Sequence, residues 1–212
     1  YAEISRRWPA ANILTEETVH PYDPARAATF ALDPIDGTDV YSQGMAGWCV
    51  SVGLLDGGLR PVAGIVYAPR LDLLFFADVG QEATCQGYAI VLPHRWDAHS
   101  ERSRLMVSSR IYQELDLANY TGKGWGVGSA ALHICFPLIY PDVIGSLQHR
   151  GTYIWDLAGA HAITLSHDLD VEYWSGEGVD YAALVDGSQV PDTLLSGSPA
   201  VLQSLRSVLT RR

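Results

Sequence analysis

The stretch LDPIDGTDVYSQG, residues 32–44, places two carboxylates three positions apart, with a proline between them and a glycine and a threonine directly after. Asp33 and Asp36 therefore have two interpretations. Asp-Pro and Asp-Gly pairs commonly form turns, because the Asp side chain can bond nearby backbone and glycine tolerates positive φ. Two hard oxygen ligands placed this close together are also typical of a cation site, where they share a counter-charge. This stretch alone leaves both a turn and a cation site open.

Composition excludes several classes of protein. The chain has 212 residues, 48% of them hydrophobic, enough to bury a core as one large domain or two fused halves. Its net charge is -10, and no run of Lys or Arg forms a basic stripe, which argues against a nucleic-acid polymer as partner. No apolar run approaches the roughly 18 residues of a membrane helix, and the first residues lack a signal-peptide core. We expect a soluble, cytoplasmic protein with no membrane partner.

The cysteines and the first residues add two expectations. Cys49, Cys85 and Cys135 are odd in number, widely spaced and set in apolar surroundings. This favours a reducing compartment and buried thiols over disulfides or a zinc site. The chain begins at Tyr1, and Ile4 and Trp8 are spaced like one face of a helix already under way. We therefore expect that these residues were preceded by others in a longer protein.

Alternating apolar residues predict a sheet in the first half of the chain. Residues 48–69 form two apolar stretches around Asp56-Gly57-Gly58, which is a strong hairpin signal, and residues 71–80 follow as a third strand. From residue 104 the pattern predicts a strand at 104–109, an apolar helix at 129–140, a strand at 142–147 and a helix at 155–167. The sequence predicts an α/β fold, a layered α+β sandwich with an antiparallel sheet first and a smaller mixed half second.

Four stretches carry residue types that could do chemistry, and each also has an ordinary structural explanation. They are ILTEET (13–18), the opening stretch, GWGVGSAALHI (124–134) and YIWDLAGAHA (153–162). Paired surface glutamates are usually solvated, and Ser129 and Asp156 are both favoured helix N-cap residues. The functional alternative for residues 124–134 is that the first N–H groups of a helix face an anionic ligand.

The order of these motifs resembles that of the inositol monophosphatase family. An ILxEE stretch, DPIDGT, a hairpin, GSAAL and WDLAGA follow one another over nearly the whole chain, and DPIDGT and WDLAG are the two signature motifs of the family. With fructose-1,6-bisphosphatases and 3'-phosphoadenosine phosphatases, this family forms a wider group of magnesium-dependent, lithium-sensitive phosphatases. The resemblance implies a phosphomonoesterase that acts on a small phosphorylated metabolite, and homodimers are common among such enzymes.

The resemblance also implies a metal site for two or three Mg²⁺ ions. Asp33 would bridge two ions, Glu16 and the main-chain carbonyl of Ile35 would complete the first site, and Asp36 with Asp156 would hold the second. Mg²⁺ favours near-octahedral oxygen coordination and keeps several waters, so a few carboxylates suffice. By the same resemblance, residues 1–100 form the metal- and phosphate-binding half, residues 101–212 complete the site, and Li⁺ is the expected inhibitor.

The implied reaction is hydrolysis by a metal-activated water, without a covalent enzyme intermediate. Glu16, Asp36 and Thr38 are the implied catalytic residues. The backbone N–H groups of Gly37 and Thr38 would bind the phosphate at the start of a short helix. Further substrate contacts are implied for the start of the later helix, at Gly128, Ser129 and Ala130.

Two departures from the family pattern leave the activity open. The chain begins too late to contain an upstream acidic motif whose aspartate helps to activate the water, so a cation-dependent binding or scaffold protein is the alternative function. His149 stands where the family has a glutamate that holds ring hydroxyls, and Arg150 is beside it. These two residues predict a second anionic group on the substrate. Inositol phosphate, a 3'-phosphonucleotide, a sugar bisphosphate and a nicotinamide-nucleotide phosphate all remain candidates.

Overall fold

A computed structural model describes residues 1–18, 21–92 and 97–212. After a short helix, α1 (Ala2–Arg7), the first half is a seven-stranded sheet in which the strands follow one another in chain order. Its strands are β1 (Asn12–Thr15), β2 (Ala28–Asp36), β3 (Cys49–Asp56), β4 (Pro61–Ala68), β5 (Leu73–Ala77), β6 (Thr84–Cys85) and β7 (Tyr88–Ala89). The short helix α2 (Thr38–Ser42) lies between β2 and β3.

The predicted hairpin and third strand are confirmed, and one strand departs from the antiparallel pattern. β2 to β7 pair antiparallel throughout, whereas β1 pairs parallel with β2, with Thr15 opposite Leu32. A parallel pair cannot be closed by a tight turn and needs a long connection, which residues 16–27 supply. This pairing aligns the carboxyl ends of β1 and β2.

The second half is a smaller mixed α/β layer, as predicted. Its five-stranded sheet has the order β10-β8-β11-β13-β12, with parallel pairs at β10/β8 and β8/β11 and antiparallel pairs at β11/β13 and β13/β12. The strands are β8 (Arg104–Val107), β10 (Lys123–Trp125), β11 (Val143–Gln148), β12 (Asp170–Tyr173) and β13 (Leu194–Gly197). Two further short strands, β9 (Leu115–Asp116) and β14 (Thr210–Arg211), pair with each other.

Three helices belong to this half of the chain. They are α3 (Ala130–Cys135), α4 (Ile154–Leu165) and α5 (Pro199–Val208). The apolar helix predicted at 129–140 is shorter than expected, because Pro137 has no N–H to continue the ladder and residues 136–138 form a 3₁₀ turn. Ser198 caps α5, whose apolar stripe packs against the second sheet and contains Val201, Leu202, Leu205 and Val208.

Helix α4 is buried on almost every side and joins the two layers. Its side chains contact β3 and β4 on one side and α3 on the other. The contact with the first sheet is close enough to require glycine: a Cβ on Gly53 would lie 2.6 Å from the Ala158 side chain, and one on Gly64 would overlap the carbonyl of Gly159. On the opposite face of this sheet, Ile65, Tyr67, Leu74 and Phe76 are exposed. The sheet is therefore covered on one face by α4.

Two further expectations from the sequence concern the burial of the cysteines and membrane-spanning helices. All three thiols are free; Cys49 and Cys135 are buried, as expected, and Cys85 is only half-buried. Within the ranges 1–18, 21–92 and 97–212, no helix is both long enough and apolar enough to cross a bilayer.

The glycine contact under α4 gives a stability prediction. Gly64→Ala should lower the free energy of unfolding by about 1–3 kcal/mol or more, because the added methyl meets the backbone of Gly159, which cannot rotate away. Gly178→Ala is the matched control, since a Cβ there meets nothing within 4 Å. Urea denaturation of both variants measures the difference, and equal stabilities would contradict this account of the packing.

Candidate functional site

Three aspartates from two elements come together where β2 ends and α4 begins. One carboxylate oxygen from each of Asp33, Asp36 and Asp156 lies within 4.8 Å of the others. Residues three apart on a regular strand point to opposite faces. Between Asp33 and Asp36, however, β2 carries one more residue than β3 does between Ser51 and Cys49, and this bulge allows both aspartates to face the same side.

Burial and mutual repulsion oppose the ionisation of the three carboxyl groups. Burial raises the pKa of Asp33 to about 7, and the charge of Asp36 adds to the shift. Burial also raises the pKa of Asp156 well above its ordinary value, with Asp36 again adding to it. Asp33 and Asp156 lie close enough for each to influence the pKa of the other.

Asp36 is held by the start of α3. Its carboxylate accepts hydrogen bonds from the Ser129 hydroxyl at 2.5 Å, the Ala131 N–H at 2.7 Å and the Ala130 N–H at 3.2 Å. Burial raises the pKa of Asp36, and these three donors oppose that effect. Ser129 Oγ also accepts the Leu132 N–H at 3.0 Å as the N-cap. The first N–H groups of α3, which were predicted to face an anionic ligand, therefore donate hydrogen bonds to Asp36.

Asp156 belongs to the cluster and is the third residue of α4, whose N-cap is Tyr153 and not Asp156 as predicted. Its carboxylate accepts the N–H of this N-cap residue at 2.7 Å. The cap fixes the side chain in the first turn, and the packing of α4 on the first sheet brings it to Asp33. Asp156 therefore supports the start of α4 and contributes to the cluster at the same time.

Glu16 lies beside the cluster without joining it. Because Thr15 pairs with Leu32 in parallel register, the next residues of the two strands, Glu16 and Asp33, lie at the same edge of the sheet. The Glu16 side chain is exposed, yet its charge contributes to the raised pKa of Asp33. Asp33, Asp36 and Asp156 each offer a ligand atom within 4.8 Å of the others. Glu16 is not part of this cluster.

The backbone between Asp33 and Asp36 turns sharply before α2. The Ile35 N–H donates to Asp33 at 2.8 Å, and the Ile35 carbonyl accepts the Thr38 hydroxyl at 3.2 Å. Gly37, at φ 94°, precedes α2 in a left-handed conformation that favours glycine. A Cβ on Gly37 would lie 3.4 Å from the Ser129 N–H nitrogen, so the starts of α2 and α3 adjoin.

A cavity of about 370 Å³ opens beside Asp36 and Asp156. Gly128 and Ala130, predicted as substrate contacts, line it, and Gly128 also packs closely on the Val40 side chain. The polar residues of the cavity wall were not predicted from the sequence. The signal that could have found them is a polar residue within an apolar stretch of sequence, as in AALHIC and VIGSLQ. The missed residues that line the cavity include Ser108, His133, Gln148 and Thr152.

His149 and Arg150, adjacent in sequence, have different surroundings. His149 lines the cavity, and its Nδ1 lies 3.1 Å from Ser108 Oγ. Burial lowers the pKa of His149. The charge of Arg110 lowers this pKa further, and the charge of Glu114 opposes the shift. Arg150 is exposed, its guanidinium Nε lies 3.4 Å from Glu114, and it is not among the cavity-lining residues. The structure therefore brings only His149 of the pair to the cavity.

Comparison with known proteins gives consistent matches. The model of the inositol monophosphatase family matches residues 1–187. The 3'(2'),5'-bisphosphate nucleotidase CysQ of Escherichia coli K12 is 26% identical over 162 residues, which cover 71% of this chain and 61% of CysQ. Inositol monophosphatase 1 of Bos taurus is 26% identical over 175 residues, covering 76% of this chain and 61% of that protein. The chain thus spans about three fifths of the length of these curated relatives.

Solved structures share the fold. SaIMPase-II with bound inositol monophosphate superposes with a TM-score of 0.80 at 22% identity, over 97% of this chain and 78% of that one. The extragenic suppressor protein suhB of Bartonella henselae has a TM-score of 0.78 at 22% identity, over 98% of this chain and 82% of that one. The arrangement of sheets and helices in this chain is therefore one already seen in these solved structures.

The raised pKa of Asp33 gives a pH prediction for the metal-free protein. The group is neutral in the folded state below about pH 7 and ionised in the unfolded state above about pH 4. It therefore stabilises the fold fully only below its unfolded pKa, and this contribution is lost as the pH rises through about 7. A divalent cation binds the ionised carboxylates, so saturating Mg²⁺ should raise the melting temperature more at pH 8 than at pH 5.5.

Thermal melts of chelator-treated protein with and without Mg²⁺ at the two pH values measure this difference. Asp33→Asn is the control, because it removes the titrating group and should reduce the Mg²⁺-dependent shift at pH 8. A Mg²⁺ effect that is equal at both pH values would contradict the proposed coupling between protons and metal.

Proposed function

Because the chain belongs to the inositol monophosphatase family, we propose that it hydrolyses a phosphate monoester of a small metabolite, with Mg²⁺ held at the aspartate cluster. The observation that carries this proposal is the cluster itself. Three aspartates with raised pKa values lie together, and two of them, Asp36 and Asp156, line a cavity large enough for a phosphorylated small molecule.

The residues of the cluster fit Mg²⁺. Asp33, Asp36 and Asp156 offer only oxygen ligands, which hard cations prefer, and their crowding requires positive charge. The Ile35 carbonyl and Glu16 are proposed as further ligands, since both lie at the same edge as Asp33. Mg²⁺ bound there would offset the negative charge of a phosphate and lower the pKa of a coordinated water.

The backbone at the two helix starts has two different proposed roles. Gly37 and Thr38 are proposed to bind the phosphate through their N–H groups, where glycine permits close approach. Ser129 and Ala130 are proposed as positioning residues, because their donors already hold Asp36. Gly128 keeps the loop before α3 close to α2. The protein groups that would touch substrate therefore come mainly from α2 and from the cavity wall.

The cavity wall favours a neutral, hydroxyl-bearing alcohol portion. Apart from Asp36 and Asp156, its polar side chains are hydroxyls, an amide and imidazoles, and it includes no Lys or Arg among the described residues. Two neighbouring structures hold ligands of this kind, one named with inositol monophosphate and one with 2'AMP, and each ligand carries its phosphate on a hydroxylated ring. A preference for a second anionic group now rests on His149 alone and stays a prediction.

Phosphate release measures the function directly. The probes are inositol 1-phosphate, 2'-AMP, 3'-phosphoadenosine 5'-phosphate and p-nitrophenyl phosphate, each assayed with Mg²⁺ and with chelator. We expect Mg²⁺-dependent release from the ring phosphates. Release from the bisphosphate with a higher kcat/KM than from inositol 1-phosphate would support the second-anion preference. Binding of these esters with no release from any probe would favour the alternative, a cation-dependent binding or scaffold protein.

Two proposals about the whole protein rest on family resemblance. These are a homodimer and a location in the cytoplasm. Light scattering on the purified protein tests the first, and fractionation of the source cells tests the second.

Asp33→Asn should lower turnover by at least 100-fold with little loss of fold. Asn keeps the side-chain oxygen that accepts the Ile35 N–H but carries no charge for the cation. Phosphate release and circular dichroism measure the two effects. The matched control is Asp186→Asn, an exposed turn residue whose oxygen accepts the Ser188 N–H. Near-wild-type turnover of Asp33→Asn in Mg²⁺ would refute the metal assignment.

Li⁺ should inhibit the reaction where Na⁺ does not. The resemblance implies a weaker second site, here Asp33, Asp36 and Asp156, that a monovalent ion can occupy while product phosphate remains. Titration of LiCl against NaCl at equal ionic strength measures the effect. Identical rates in the two salts would count against this description of the second site.

A further inference from the structure

His133, buried at the base of the cavity wall, has a fixed proton position. The Val127 N–H donates to its Nε2 at 2.9 Å, so Nε2 acts as an acceptor. Burial lowers the pKa of His133 to about 4, so the ring is neutral near pH 7. A neutral imidazole that accepts at Nε2 must carry its proton on Nδ1. His133 is thus a donor at Nδ1.

This donor fixes the orientation of the Gln148 amide. His133 Nδ1 lies 3.4 Å from Gln148 Oε1, which is the acceptor that an Nδ1–H requires. The opposite orientation would place an amide NH₂ against the ring N–H, two donors facing each other. Gln148 Oε1 is therefore engaged, and its Nε2 amino group faces away from His133.

The Nε2 group of Gln148 has no partner. Gln148 is 2% exposed and lines the cavity that also contains Asp36 and Asp156. Over residues 1–18, 21–92 and 97–212, no hydrogen-bond acceptor is within reach of this buried Nε2. Leaving such a donor unpaired costs about 1–3 kcal/mol. Buried polar groups are nearly always hydrogen-bonded, so an unpaired one in a cavity wall needs an explanation.

Neighbouring hydroxyls on the same wall are already paired within the protein. Ser108 Oγ accepts the His149 N–H at 2.9 Å, and the Thr152 hydroxyl donates to the His149 carbonyl at 2.9 Å. The amide of Gln148 differs from these two hydroxyls. Its Oε1 is oriented by His133, and its Nε2 has no partner among the described residues.

We propose that Gln148 is a specificity residue, whose Nε2 donates a hydrogen bond to a hydroxyl or ether oxygen on the alcohol portion of the substrate. His133 acts as a positioning residue that holds the amide in this orientation. This inference rests on the proposed function, and names the neutral oxygen next to the phosphoester as the group recognised. An uncharged donor matches an uncharged oxygen, while the charge of the phosphate is matched at the aspartate cluster.

The test compares two esters that differ in this oxygen. Inositol 1-phosphate carries ring hydroxyls beside the phosphate, whereas the alcohol portion of p-nitrophenyl phosphate carries none. Gln148→Met keeps the length of the side chain and removes the donor. We expect KM for inositol 1-phosphate to rise about 3- to 10-fold, with kcat unchanged and with both constants for p-nitrophenyl phosphate unchanged. Gln113→Met, on an exposed 3₁₀ turn, is the matched control.

His133→Phe gives a second measurement of the same contact. Without the Nδ1 donor the amide can rotate, so KM for inositol 1-phosphate should rise in the same direction. The double variant should show less than the product of the two single effects, because both act through one donor. Thermal melts identify any variant that fails to fold.

The possible failures are distinguishable. Equal changes for both esters in Gln148→Met, or an unchanged KM for inositol 1-phosphate, would overturn the assignment of Gln148 and leave the proposed function standing. An ordered water that satisfies Nε2 would give the latter result. If the wild-type protein hydrolyses neither ester, the proposed function fails. In that case titration calorimetry with intact inositol 1-phosphate, against inorganic phosphate, still decides whether Gln148→Met weakens binding by the same factor.

Discussion

The buried carboxylate of Asp36, bonded to the start of α3, is the interaction on which the rest of the site depends. An enclosed carboxylate is costly, and the Ser129 hydroxyl with two backbone N–H groups of α3 offsets that cost. The positive end of α3 adds a favourable field. Because Asp36 ends a strand of the first sheet and α3 belongs to the second half, this cap joins the two halves. It also sets the position of His133, one turn further along α3.

Crowding of the carboxylates is the second constraint, and it follows from packing. Glycines at the β3–β4 contact allow α4 to approach the sheet closely enough for Asp156 to reach Asp33. The bulge in β2 turns Asp33 and Asp36 to the same side. Burial raises the pKa of all three acids, and the neighbouring carboxylates raise those of Asp33 and Asp156 further. The fold thus keeps an electrostatic cost at one place, which is typical of a site that works with a bound cation.

The cavity beside the cluster divides its chemistry between two sides. The carboxyl groups of Asp36 and Asp156 line it, and Ser108, Gln148 and His149 contribute hydroxyl, amide and imidazole groups. A phosphate ester has the same division, with a charged group that needs a cation and an alcohol portion that needs hydrogen bonds. Arg150, which could have altered this balance, is paired with Glu114 outside the cavity.

Local patterns in the sequence determined the hairpin and helix α4, because periodicity and turn residues lie within a few positions of one another. The grouping of Asp33, Asp36 and Asp156 was implied by the resemblance of the motifs to a known family. The parallel pairing of β1, the direction of the α3 N–H groups toward Asp36, the turning of Arg150 to Glu114 and the unpaired amide of Gln148 were decided only by the tertiary structure. In each case the partner comes from a distant part of the chain. A side chain hydrogen-bonds to the group that packing brings to it, and a sequence pattern does not specify that group.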